Sequence, residues 1–142
     1  MKIDSHIITE YINSYSKNKI IIHRELFLDV NSIDIGILLS NRIYSHKNDV
    51  RISMISNSVL EEILNENIFH HEAHGKCLFI KNIGILMEQE LKLNFVKILE
   101  KYSNNNSLFV KWDGEFENGQ LYFLTKENGI QININELSHI SI

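Results

Sequence analysis

Apolar residues recur at helical spacing in the first segment. Ile3, Ile7, Ile8, Tyr11, Ile12 and Tyr15 fall on one face of a helix. Asp4 or Ser5 is placed to cap it and 16–18 to end it. The pattern changes at 19–23, Lys-Ile-Ile-Ile-His, a continuous β-branched run with polar ends that predicts a short buried strand. A second strand is expected at 26–30. A helix capped by Asn31 or Ser32 then runs to Tyr44 with Ile33, Ile37, Leu38 and Ile43 inward. After a polar connection at 45–50, Ser56 and Ser58 precede Val59, Leu60, Ile63 and Leu64. That is a short helix ending near Asn67, with Glu61 and Glu62 in its first turn.

The second half repeats the alternation. Residues 76–81 read as the clearest buried strand, 88–102 as a helix with Leu91, Phe95, Ile98, Leu99 and Tyr102 on one face, and 107–112 as another strand. Asp113-Gly114 and Asn118-Gly119 flank Glu115-Phe116-Glu117, and Asn-Gly between alternating segments signals a hairpin. Its return strand is expected at 120–125, and the Ile130, Ile132, Ile134 alternation predicts a last strand. The order implies an α/β layered fold over 1–142 as a single domain, with a short parallel central sheet and a C-terminal β-hairpin.

Composition narrows the class. A chain of 142 residues with 44% apolar and 23% charged residues is an ordinary globular protein. The 24 Ile, 17 Asn and absent Pro fit an AT-rich coding sequence. A net charge of −4 argues against a whole-protein field for nucleic acid. A lone Cys77 excludes an internal disulfide and agrees with a reducing compartment. With no apolar leader and no long apolar run, the expected localisation is cytoplasmic.

Candidate chemistry is sparse. The six glycines, 36, 75, 84, 114, 119 and 129, nowhere make a phosphate-cradling loop. After the first strand, where such a loop belongs, stand His23-Arg24-Glu25. His70 and His74 share a helical face if 70–74 is a helix, and with His71 they form a candidate metal cluster. Glu72 is one place too late for the metalloprotease pattern, and a third ligand from Cys77, His6, His23, His46 or His139 is not assignable. Lys81, Lys92, Lys97, Lys101 and Lys111, interleaved with Phe95 and Trp112, form a candidate nucleic-acid face. Cys77 inside a strand reads as packing.

The stretch Leu78-Phe79-Ile80-Lys81-Asn82-Ile83-Gly84-Ile85-Leu86-Met87 carries a resemblance. Glu90-Leu91-Lys92-Leu93, Lys97-Ile98-Leu99, Tyr102-Ser103, Trp112, Gly114, Gly119 and Leu121 extend it. It resembles the BrxF family, small P-loop proteins of type 3 BREX phage-defence systems, over about 27–123 and most densely over 76–121. The resemblance implies a degenerate P-loop NTPase-like fold. The family's magnesium-holding Asp falls on Lys81 and an acid three later on Gly84. The arginines of its Ser-Arg-Asn-Arg turn fall on Asn104 and Asn106, and its Gly-His-Pro-Glu-Tyr end is missing. A lysine repels the magnesium that the carboxylate would hold. The expectation is a non-catalytic, P-loop-like protein-interaction subunit in a phage-defence or mobile-element system, binding no nucleotide and no cofactor. Its partners are other protein subunits, met on a surface of His23, Lys81, Asn82 and Trp112 at the carboxyl ends of the strands. A metal-dependent enzyme using His70, His71 and His74, and a nucleic-acid-binding accessory domain, are the alternatives.

Overall fold

The computed structural model describes residues 5–27, 29–123 and 130–142. Helix α1 (Ser5–Ile12) leads into β1 (Lys19–His23), the strand expected there. The Tyr11 hydroxyl fixes that join: it accepts from the Ile20 amide at 3.0 Å and donates to the Asn18 carbonyl at 2.8 Å. Ile8 is buried, but Ile7 and Tyr15 of the expected apolar face are exposed.

The segment that follows crosses the sheet, and its described residues form no strand where one was expected at 26–30 (Leu28 lies outside the described residues). It delivers the chain to β2 (Ile33–Asp34) and α2 (Ile35–Ile43). The cap is Asp34, whose carboxylate accepts from the Ile37 amide at 2.9 Å, in place of Asn31 or Ser32. Moving the cap rotates the helix: Ile35, Leu39 and Ile43 face inward and Ile37 faces outward. Helix α3 (Ile52–Glu66) begins four residues before Ser56, which is buried within it, so Glu61 and Glu62 are mid-helix. Strand β3 (Phe69–His71) turns at Gly75, φ 73°, into β4 (Gly75–Lys81).

The expected helix 88–102 is shorter. Two 3-10 turns, Gly84–Met87 and Gln89–Leu91, end at Lys92 in the left-handed region (φ 49°). Asn94 then caps α4 (Phe95–Asn104), accepting from the Lys97 amide at 3.0 Å. Strand β5 (Ser107–Lys111) follows, then β6 (Glu115–Glu117), β7 (Gln120–Phe123), β8 (Ile130–Asn133) and β9 (Ile140–Ser141).

Five strands pair in parallel in the order β2-β4-β5-β1-β9, with β3 antiparallel on the first half of β4. Helices flank this sheet, as the reading of a parallel core requires. The expected hairpin is present at Asn118-Gly119, both residues at positive φ (53° and 73°) as a tight two-residue turn demands. It gains β8 and becomes a three-stranded antiparallel sheet. Leu124 and Thr125, the end of the expected return strand, lie outside the described residues.

Strand alternation splits the core. Ile20, Ile22, Leu78, Ile80, Leu108 and Val110 belong to one buried cluster with α2, α3, α4 and the second sheet. Ile21, Cys77, Phe79 and Phe109 belong to another, closed by Ile8 of α1 and by Phe27 and Val30 of the crossing segment.

Candidate functional site at the carboxyl edge of the parallel sheet

The registers fix one line of residues along the carboxyl ends of the strands. Asp34 pairs with Lys81, Ile80 with Val110, and His23 with Lys111. The four residues singled out from the sequence, His23, Lys81, Asn82 and Trp112, therefore lie along one edge. The chain leaves β1 toward β2 at one end of the sheet and leaves β5 toward β9 at the other. Those opposite departures put the topological switch point, where open α/β sheets receive ligands, between His23 and Lys111.

Trp112 stands at that point. Its amide donates to the His23 carbonyl at 2.9 Å, prolonging the ladder, and its indole Nε1 donates to the Glu115 carbonyl at 3.0 Å. At 4% exposure it is a core residue beneath the hairpin. Two depressions adjoin it. One, about 160 Å³, touches His23, Arg24 and Phe116; the other, about 350 Å³, touches Asn82, Lys111 and Phe123.

His23 is buried too. Its Nδ1 donates to the Glu25 carbonyl at 2.8 Å, which leaves Nε2 as an acceptor, buried and without a partner among the described residues. Burial lowers its pKa and the Lys111 charge adds to that, opposed by the Glu25 hydrogen bond, so the ring is neutral near pH 7. Lys111 is ion-paired with Asp113. Asn82, at φ 53°, is tied inward: Nδ2 donates to the Asp34 carboxylate at 2.7 Å, and its carbonyl accepts from the Gly36 amide at 2.9 Å. A Cβ on Gly36 would sit 2.4 Å from that Nδ2, so any larger residue would have to displace the Asn82 side chain for α2 to dock here. Of the four, then, Lys81 and Asn82 reach solvent, while His23 and Trp112 form the floor.

The histidines at 70–74 stand on a hairpin, so the shared helical face of His70 and His74 does not form. Among the described residues no group of three or more His, Cys, Asp or Glu is placed to hold a metal. His71 instead bonds Asp29 at 2.9 Å and stacks on His74. Burial pushes the Cys77 thiol up to about 11, so it is no thiolate nucleophile at neutral pH. Phe95 and Trp112 are buried and Lys101 pairs with Glu61 at 2.8 Å, so the lysine-aromatic stretch offers neither ring for stacking on bases.

Sequence reasoning missed Arg24 and Phe116 as rim residues. Arg24 follows directly on β1 and Phe116 sits in the hairpin beside Trp112, so only the three-dimensional return of the chain brings them together. Among the described residues no helix is long and apolar enough to cross a membrane. Comparison with protein-family models, with curated proteins and with solved structures finds no match to this chain.

Proposed function

We propose that this chain is a non-catalytic, P-loop-like protein-interaction subunit, working in a phage-defence (BREX-like) or mobile-element setting. The partner surface is the carboxyl edge of the parallel sheet. The observation that carries the reading is a switch-point crevice whose chemistry is missing: where a phosphate loop would open, the chain has His23-Arg24-Glu25 with no glycine. Lys81 and Lys111 stand on the same edge, and the carboxylates beside them, Asp34 and Asp113, are held by Asn82 and by Lys111. The BrxF resemblance supplies the biological setting and the P-loop-like descent.

Because His23 and Trp112 form the floor, the contact is made by the rim: Lys81, Asn82 and Arg24. The first test is nucleotide. A ligand at 100 times its Kd stabilises its binder by about 2.7 kcal/mol, which moves the melting point of a domain this size by several degrees. The expected result with millimolar MgATP or MgGTP is no shift, and a clear shift overturns the reading. The second test co-expresses the chain with the products of its neighbouring genes. Lys81→Glu and Arg24→Glu are expected to keep the wild-type melting point and lose co-purification; retention by both variants places the contact elsewhere.

A further inference from the structure

The two edges of the three-stranded antiparallel sheet are built differently. One is β6, Glu-Phe-Glu, with a carboxylate on either side of Phe116. A charged edge of this kind discourages a second strand, because like charges directly opposite each other repel. The other edge is β8, and from Ile130 to Asn135 the chain carries no charge and no proline. Among the described residues no strand pairs with its outer side.

The register says what that edge offers. The Ile134 amide donates to the Gly119 carbonyl at 2.9 Å, so the even-numbered residues turn their backbone groups toward β7. Alternation then turns the N–H and C=O of Gln131 and Asn133 outward, and both residues are exposed. Their side chains are half used. Gln131 Nε2 donates to Gln120 Oε1 at 2.9 Å, which leaves the Gln131 oxygen as an acceptor. Asn133 Oδ1 accepts from the Asn135 amide at 2.8 Å, which leaves its Nδ2 as a donor. On the opposite face of the strand, Ile130, 43% exposed, and Ile132 adjoin a trough of about 480 Å³ with Leu86, Met87, Leu93 and Val96.

We propose that β8 is a self-association edge: two copies of the chain pair antiparallel about a twofold axis at Ile132, joining their three-stranded sheets into one. In that register Gln131 stands opposite the partner's Asn133, and Asn133 opposite the partner's Gln131. Each is a pair that exchanges both N–H···O=C bonds, so no outward backbone group of these residues is left over. On the polar face the spare Nδ2 of Asn133 meets the spare oxygen of the partner's Gln131, twice by symmetry. On the apolar face the two Ile132 side chains meet at the non-hydrogen-bonded position, where cross-strand neighbours are closest. Ile130 then lies across from the partner's Ile134. This match favours a copy of the same chain over an unrelated strand. The leftover donor and the leftover acceptor flank Ile132, which is the spacing that an antiparallel copy centred there brings face to face. One strand from each side makes a small interface, so the dimer is weak and concentration-dependent. It involves none of the rim residues Lys81, Asn82 and Arg24 and stands independently of the partner reading.

Sedimentation equilibrium of the whole chain, from about 10 µM to about 1 mM, spans the range of such a weak dimer. The weight-average mass is expected to rise from 16.6 kDa toward twice that value. In Gln131→Pro the lost amide hydrogen faced away from β7, so the sheet keeps its own ladder while the dimer loses two of its backbone bonds. The rise is expected to move at least about tenfold higher in concentration. Gln131→Lys, which places a charge on the edge, is expected to do the same. Isotope-filtered NMR on a mixture of labelled and unlabelled chains needs no variant: the Ile132 Hα should contact the partner's Ile132 Hα. A mass that stays at 16.6 kDa throughout overturns the proposal. So does association unchanged in both folded variants, or contacts between copies centred on β6 or another edge.

Discussion

Leu108 and Phe109 are neighbours on β5, both fully buried, and they face two different interiors. Leu108 joins a layer under three helices to which the parallel strands contribute only Ile, Leu and Val, with Phe95, Tyr102 and Trp112 added from outside the strands. Phe109 joins an aromatic layer: it stacks on Phe79 at 4.0 Å, takes Phe27 edge-on, and borders His23 and His74. The aliphatic side depends on apolar area and is indifferent to protons. The aromatic side, covered by one short helix, a hairpin and a crossing segment, fills its gaps with imidazoles and so takes on a dependence on pH.

The largest effects should come from truncating this pair. Leu108→Ala is expected to cost about 2–5 kcal/mol and Phe109→Ala about 3–5 kcal/mol, from lost transfer free energy plus the cavity left behind. Urea denaturation at pH 7.5 and 5.5 separates the two faces. Leu108→Ala should keep the wild-type difference between the two pH values, and Phe109→Ala should reduce it by letting water reach His74 and His23. Identical pH dependence in both variants would remove the distinction between the layers.

A smaller effect belongs to the docking of α2 on the aliphatic side. Gly36→Ala is expected to cost about 1–3 kcal/mol, because the new methyl meets the Asn82 side chain and backbone. Combining it with Asn82→Gly, which suits the left-handed backbone at that position, should recover part of the loss. Full additivity of the two changes would show that the clash is relieved some other way.

The smallest effect expected is the pH dependence of the unaltered chain. The pKa values of His23 and His74 are both lowered by burial, so the unfolded state binds more protons as pH drops. Stability should therefore be full above about 6.5 and decline toward pH 5. Asp29 and Asp49, held below the usual carboxylate range, add their loss only at more acid pH. A flat denaturation midpoint between pH 7.5 and 5 would contradict the neutral-imidazole account of the aromatic layer.

What could be read from the sequence follows from how each element is specified. Strand β1 was legible to the residue, because three consecutive isoleucines between polar ends suit a strand buried on both faces. The stretch from Ile33 to Ile37 was not. Its isoleucines alternate as in a strand and then continue as a helix, and only the Asp34 carboxylate on the Ile37 amide decides where one ends. Strands β3 and β9, three and two residues long, exist because a neighbour offers them an edge, a tertiary fact with no local signature. The same division holds at the site. The edge of strand ends could be placed from the pattern alone, whereas the burial of Trp112 depends on the hairpin folding back over it. The histidine run at 70–74 suggested a ligand set, and the pairing of β3 with β4 turned it into a stack.

Trp112 has a use beyond packing. It is the chain's single tryptophan, and it separates the two depressions at the sheet edge with its indole N–H bound to the Glu115 carbonyl. Excitation at the red edge of indole absorption therefore addresses one site in the whole molecule. A buried ring held in this way emits at short wavelength, and anything that seats in either depression or lifts the hairpin changes its colour or quenches it. The protein carries its own optical reporter at the place where a partner would arrive.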